Sequence, residues 1–331
     1  MKVADMHCDT ITEIYYARKK GKKAELAKNH FQLDLEKMTK GDYLIQNFAM
    51  FVNIKRHGDP LDQCLKFIDL FYQELEKNQE KIALALSYND IVKNQKDGKM
   101  SALLTIEDGG AARCDLSHLR NFYRLGVRMI TLTWNYENGI GYPNFRLIEG
   151  EKPDFRTPNA KDGLTDFGIS FIEEMERLGI IIDVSHLSDA GFYDVLKYTT
   201  KPFVASHSNI RGVCNHVRNV SDDMLRKLAE RGGVIGMNFC PSFLEETERE
   251  EDAKGSIADI VEHIKYAVNI GGYECVGLGS DFDGIPVRKD LQDASALPLL
   301  AEALEKEGFK QREIEAIFYK NVLRVYKEVL K

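Results

Sequence analysis

The chain has 331 residues, 44% of them hydrophobic and 29% charged, with a formal net charge of −7. These values exclude global disorder, and no run approaches the roughly 18 uninterrupted apolar residues that a membrane helix needs. The acidic balance argues against a nucleic-acid partner, which requires a basic face, and bound divalent cations would offset part of it.

In chain order, short β-branched or apolar runs predict strands at Lys2–His7, Leu44–Val52, Ala102–Glu107, Met129–Trp134, Ile180–His186, Phe203–His207, Val234–Phe239 and Val276–Asp281. Segments with helical spacing lie between them. In Pro60–Asn78, the residues Leu61, Leu65, Ile68, Tyr72 and Leu75 fall at four- and three-residue steps, which predicts one buried helix face. Leu164–Leu178, Asp189–Tyr198, Ser221–Arg231, Ser256–Ile270 and Leu291–Glu307 read the same way. Lys310–Leu330 supplies a closing helix, with Ile314, Ile317, Val322, Val325 and Val329 expected inside. The charge run Glu245–Lys254 reads as a solvated loop or a helix start.

This alternation predicts an α/β fold, a (β/α)8 barrel of the TIM type. The competing open, doubly wound sheet usually carries a Gly-rich first turn, and the first turn here is His-Cys-Asp-Thr. Residues 1–331 are expected to form a single catalytic domain. Insertions are expected in the N-terminal third, including Tyr16–Asp34, because roughly a third of the chain precedes the third strand. The six cysteines are dispersed with no C-x-x-C pair, which predicts reduced, mostly buried thiols and a cytoplasmic location. The two ends, MKVADMHCDT and YKEVLK, predict neither a signal peptide nor a lipid anchor.

The strongest feature is where the metal-capable residues fall. His7 and Asp9 follow the first strand, Glu107 ends the third, His186 the fifth, His207 the sixth and Asp281 the eighth. In a parallel barrel these ends meet on one rim. Side chains at i and i+2 of a strand share a side, so His7 and Asp9 can grip one ion with Cys8 turned away. His186 and His207, on adjacent strands, can hold a second, and Glu107 has two oxygens with which to bridge both. Imidazoles with oxygen ligands suit zinc. Metals about 3.5–4 Å apart can share a hydroxide that is a good nucleophile at neutral pH.

Each of these residues has an ordinary account when taken alone. A strand-end histidine is more often packed than liganded, Glu107 in IEDGG can begin a loop or cap a helix, and Asp281 and Asp283 in GSDFDG can be turn carboxylates. Those accounts do not explain why apolar strand after apolar strand ends in His, Asp or Glu. His30, His57, His118 and His263 lie away from strand ends and read as structural or solvated, while the role of His216 in NHVRNV is open. Arg218 is either a surface charge or a bidentate clamp for a substrate carboxylate.

The blocks DMHCDT, LLTIEDGGA, TLTWN, IIDVSHLS, SHSNIRGVCNHVRNVSDD and VGLGSDFDG, in this order, resemble the membrane (renal) dipeptidase family of zinc peptidases, amidohydrolase-type barrels whose members cleave dipeptides with two zinc ions. The resemblance runs from residue 3 to about 286, with a family-like close at Asn321–Tyr326. It implies that His7 and Asp9 hold the first zinc, that Glu107 bridges, and that His186 and His207 hold the second. It also implies that Arg218 binds the substrate's terminal carboxylate and that Asp281 shuttles the proton. One position departs. Many members carry a substrate-binding histidine in a T-L-T-H block, where this chain reads Thr131-Leu132-Thr133-Trp134. An indole N–H donates one hydrogen bond but neither accepts a proton nor ligates metal. Polarisation of the scissile carbonyl then falls to a zinc, to Trp134, or to Asn135 or Tyr136.

The expected function is therefore a dizinc dipeptidase acting on small dipeptides, with no membrane partner and a homodimer as the family's default. Two alternatives stand beside it. One is another amidohydrolase-type reaction, such as cyclic amide opening or deamination. The other is a barrel that binds metal or peptide without turnover.

Overall fold

The computed structural model describes residues 1–56, 58–145, 153–286 and 289–331. Among the described residues, nine parallel strands run in chain order as β1 (Val3–Asp5), β2 (Tyr43–Phe51), β3 (Ile82–Leu84), β4 (Met100–Glu107), β5 (Val127–Thr131), β6 (Ile181–Asp183), β7 (Val204–Ala205), β8 (Val234–Met237) and β9 (Val276–Leu278). Eight of them close a barrel, with β1 paired to β9 and β2 paired to β4. The ninth, β3, lies against the first residues of β4, and β5 takes over along the rest of that strand.

The expected strands match the eight barrel strands, and β3 was not expected. The strands before the site residues end sooner than their apolar runs. Pairing stops at Asp183 and Leu278, and His186 and Asp281 then adopt φ of 70° and 62°. The backbone leaves the sheet there to aim both side chains at the rim. An isolated bridge between Cys8 and Phe282 carries the β1–β9 contact past the strands themselves.

Helices start where a side chain can take up a free N–H. Asp59, Thr165, Ser188, Ser221 and Ser256 each accept from a backbone N–H in the first turn of the helices Pro60–Lys77, Asp166–Leu178, Asp189–Tyr198, Asp222–Glu230 and Ile257–Gly271. In Pro60–Lys77 the buried face is rotated from the expected one. Leu65 and Tyr72 are exposed, and Cys64, Phe67, Ile68, Phe71 and Leu75 are inside. The aromatic residues of DLFYQEL outweigh a simple four–three count. The segment expected as Leu291–Glu307 begins with a 3-10 turn at Ala294–Ala296 and becomes α-helical at Leu297–Lys306. The closing helix contains a π turn at Ala316–Lys320, and its five expected core residues are all buried.

Two apolar layers result. The larger joins strands to the outer helices. The smaller joins Ala4, Met6, Ile45, Leu103, Met129, Ile181, Val204 and Val234 to Val322, Val325 and Tyr326 of the last helix. The Tyr326 hydroxyl donates to Asn47 Oδ1 at 2.8 Å, so the one polar atom of that plug is satisfied. Between β1 and β2 the chain is pinned by a buried carboxylate. Glu74 accepts from Arg18 and from the Leu26 N–H, each at 2.7 Å.

Candidate metal centre

Six side chains converge above the barrel's strand ends. His7 Nε2 lies 3.6 Å from Asp9 Oδ2, 3.4 Å from Glu107 Oε2 and 3.9 Å from Asp281 Oδ1. The other oxygen of Glu107, Oε1, lies 3.1 Å from His186 Nε2 and 3.6 Å from His207 Nε2. The two Nε2 atoms of His186 and His207 are 3.1 Å apart, and the rings of His7 and His207 stack at 3.8 Å. Glu107 thus points one oxygen at each of two imidazole groups. Cys8 is turned away, as expected, with its thiol donating to the Asn47 carbonyl at 3.4 Å.

Several spacings here are wider than hydrogen bonds and fit a shared cation instead. Bonds of about 2.1 Å place neighbouring ligand atoms about 3.4 Å apart around a tetrahedral ion. Ligand atoms of His7, Glu107 and His207 lie within 4.8 Å of one another, and so do those of His7, Asp9 and Asp281. Among the described residues, both ring nitrogens of His7 and Oδ1 of Asp9 are buried with no hydrogen-bond partner. Such orphaned atoms cost about 1–3 kcal/mol each unless something else satisfies them, and of these His7 Nε2 faces the carboxylates of Asp9, Glu107 and Asp281. Gly284 keeps the space beside Asp9 open, because a Cβ there would collide with Asp9 Oδ2. The residues present fit a pair of metal ions.

Neighbouring groups fix the imidazoles. His186 Nδ1 donates to the carboxamide oxygen of Asn135 at 2.8 Å, and His207 Nδ1 donates to Ser206 Oγ at 2.7 Å. Both Nε2 atoms keep their lone pairs for a metal. Burial, with Arg218 and His7 nearby, holds His186 and His207 well below the usual histidine range, so both stay neutral. His7 is the opposite case. Burial pulls its pKa down, but Glu107 and Asp9 outweigh it and raise it well above the ordinary value. Burial raises the Asp281 carboxyl, His7 opposes, and Asp9 and Glu107 add to the rise.

A cavity of about 630 Å³ opens onto this centre. Arg218 lines it, and the surface-charge reading fails, because the side chain is only 5% exposed. Its guanidinium touches the His207 carbonyl at 3.1 Å and Ser208 Oγ at 3.4 Å, with Nε unpartnered and no carboxylate within ion-pair distance among the described residues. His216 supports it: its Nδ1 accepts from the Arg218 N–H at 3.0 Å, and its Nε2 meets Glu250 at 2.7 Å. Glu250 comes from the charge run Glu245–Lys254, which is therefore more than a solvated loop. Trp134 stands beside Phe51, ring centroids 4.9 Å apart, and the two form an aromatic wall of the cavity, with Tyr136 packed edge-on against Trp134. Asp283 also lines the cavity, but its oxygens already accept from Thr10 Oγ1 and the Gln32 N–H, each at 2.6 Å. His263 is buried and bonded to Ile210 and Leu244, His118 meets the Ala112 carbonyl, and His30 packs at a tilt against Phe31. His57 lies outside the described residues.

Sequence reading missed Asn135 as a partner of His186, and it missed Asp5, Asp183, Ser206 and Ser280 altogether. A signal was present: an aspartate stands just ahead of His7 and His186, and a serine directly before His207 and Asp281.

Fold and site together define a metal-dependent hydrolase of the parallel-barrel class. The membrane dipeptidase model, peptidase family M19, matches residues 1–331. An uncharacterized protein of Klebsiella pneumoniae, from the pqqA 5′ region, is 35% identical over 272 residues, covering 82% of this chain and 98% of that protein. An uncharacterized dipeptidase of Schizosaccharomyces pombe is 34% identical over 308 residues, covering 89% and 71%. A solved metallopeptidase of family M19, dipeptidase AC, superposes with a TM-score of 0.91 at 25% identity, covering 100% and 99%. A metallopeptidase of Rhodobacter sphaeroides, solved with a phosphinate mimic of the dipeptide L-Ala-D-Ala, superposes with a TM-score of 0.88 at 24% identity, covering 99% of both chains. The chain belongs to the membrane dipeptidase family, M19, and is a metallo-dipeptidase of that family.

Proposed function

We propose that this enzyme is a dizinc dipeptidase in which Glu107 bridges the two ions, Asp281 moves the proton and Arg218 holds the substrate's carboxylate. The observation that carries the reading is the split of Glu107, one oxygen toward His7 and the other toward His186 and His207. His7 and Asp9 would hold one ion, and His186 and His207 the other. When bound, the pair supplies an activated water and a Lewis acid for the peptide carbonyl.

The chain's own residues do the rest. Arg218 is a buried cation with no carboxylate partner among the described residues, and a free C-terminal carboxylate completes it through bidentate hydrogen bonds. Asp281 accepts a proton from the attacking water and delivers it to the leaving amine as the C–N bond breaks. Its Oδ2 is held by Asn238 Nδ2 at 2.9 Å, which leaves Oδ1, the oxygen nearer His7, for that transfer. Asp283 is the poorer candidate because both of its oxygens already accept hydrogen bonds. Asn135 orients His186, and Trp134 bounds the cavity beside it. Six free thiols, four of them buried, support a reducing compartment, the cytoplasm.

Steady-state assay of a dipeptide panel, with and without chelator and alongside metal analysis, tests the reading. Hydrolysis that depends on two ions per chain and on a free substrate carboxylate is expected. Turnover that survives full metal removal, or that favours amidated dipeptides, contradicts it.

A further inference from the structure

Two buried aspartates belong to none of these roles, and both are held by the same device. Asp183 Oδ1 accepts from the N–H of Ser185 at 3.0 Å and of Ser206 at 2.8 Å, while Oδ2 accepts from the Ser206 hydroxyl at 2.5 Å. Asp5 Oδ1 accepts from the N–H of His7 at 3.3 Å and of Ser280 at 2.8 Å, while Oδ2 accepts from the Ser280 hydroxyl at 2.6 Å. Each aspartate, the last residue of its strand, thus grips the residue two places further on and a serine just past the end of the neighbouring strand. Ser206 directly precedes His207, and Ser280 directly precedes Asp281. Gly236 and Gly279 make the close approach possible, because a Cβ at either would collide with the Ser206 carbonyl.

The two devices differ in where the serine hydroxyl leads. Beyond Asp5, Ser280 Oγ meets main-chain atoms alone among the described residues, the His7 carbonyl at 3.2 Å and the Phe282 N–H at 3.1 Å. Ser206 Oγ lies 2.7 Å from His207 Nδ1. A serine hydroxyl has one proton, and Asp183 Oδ2 takes it. The hydroxyl can then only accept from the ring, so Nδ1 carries the imidazole's proton and Nε2 keeps the lone pair that faces Glu107 and His186.

We infer that Asp183 and Ser206 are positioning residues that lock His207 in its metal-binding tautomer and so set the affinity of the ion held by His186 and His207. The inference rests on the two-metal reading above. Asp183→Asn would let the amide donate to Ser206, turn the hydroxyl toward Nδ1 and favour the wrong tautomer.

Thr131 provides the control. Its hydroxyl donates to the same Asp183 oxygen at the same 2.5 Å, but it has no link to the ring in the bonds described. Zinc affinity of purified full-length Thr131→Ala, Ser206→Ala and Ser206→Thr is measured by chelator competition, with Tm recorded for each. Ser206→Ala is expected to weaken one of the two ions about 10–100-fold, the range for lost outer-sphere partners. Thr131→Ala is expected to lower Tm comparably and leave both affinities near wild type, and Ser206→Thr to restore binding. Ser206→Cys, similar in size but a poor acceptor, serves if alanine does not fold and should lose affinity in the same direction. Equal zinc loss in Thr131→Ala and Ser206→Ala, or unchanged zinc in folded Ser206→Ala or Ser206→Cys, overturns the relay. A wild-type protein that binds fewer than two ions overturns the underlying two-metal reading instead.

Discussion

The two halves of the metal centre, either side of Glu107, are prepared for a cation in different ways. On the β1–β9 side, His7 has no hydrogen bond on either ring nitrogen among the described residues and faces Asp9, Glu107 and Asp281. Its carboxylate surroundings raise its pKa against the pull of burial, so positive charge is wanted there. On the β6–β7 side, His186 and His207 are each tied through Nδ1 and pushed toward neutrality by burial and by the Arg218 and His7 charges. In the two-metal proposal, one half would draw its affinity from stored negative charge, the other from ligands set in advance. Glu107, with one oxygen on each side, is the part they share.

The largest expected effect comes from breaking that shared part. Glu107→Gln removes charge from one half and a ligand from the other, so both ions should loosen and activity should fall to background. Elemental analysis of the variant checks this, and full occupancy would remove the bridging role. Next is Asp281→Asn, which keeps shape and removes basicity. Here kcat should fall about 10²–10⁴-fold, the usual scale of general acid–base help, with metal content nearly unchanged. Normal turnover would place the shuttle elsewhere.

Arg218→Ala probes the cavity beside the preset half. Losing a charged hydrogen bond of roughly 1.5–3 kcal/mol lowers kcat/KM about 10–150-fold. The loss should be confined to substrates with a free carboxylate. A dipeptide amide should be poor for the wild type and lose little more. Equal losses on acid and amide would mean that Arg218 holds its loop, not the ligand. The smallest effect sharpens the contrast between halves. Asn135→Ala frees the His186 ring and should weaken one ion about 10-fold, leaving the ion at His7 unaffected in chelator titrations.

Much of this was readable from residue order. Apolar runs closed by His, Asp or Glu mark the barrel strands and their rim, because burial and rim position are both local consequences of the pattern. What was not readable depends on contacts distant in sequence. The strand β3 is three residues, Ile-Ala-Leu, too short to stand out from a polar neighbourhood. The buried face of Pro60–Lys77 was misplaced because Phe67 and Phe71 win the core over Leu65 and Tyr72. Asp183 and Ser206 are common residue types whose meaning appears only when β6 and β7 lie side by side. Arg218 was singled out from the sequence, but its burial without a carboxylate partner among the described residues emerges only from the fold.

The central claim is a metal pair straddling Glu107, and anomalous scattering at the zinc edge from crystals of the zinc-loaded protein tests it most directly. The account predicts two peaks about 3.5–4 Å apart, one bonded to Glu107 Oε2 with His7 and Asp9, the other to Glu107 Oε1 with His186 and His207. A single peak, or two peaks on the same side of Glu107, would contradict it.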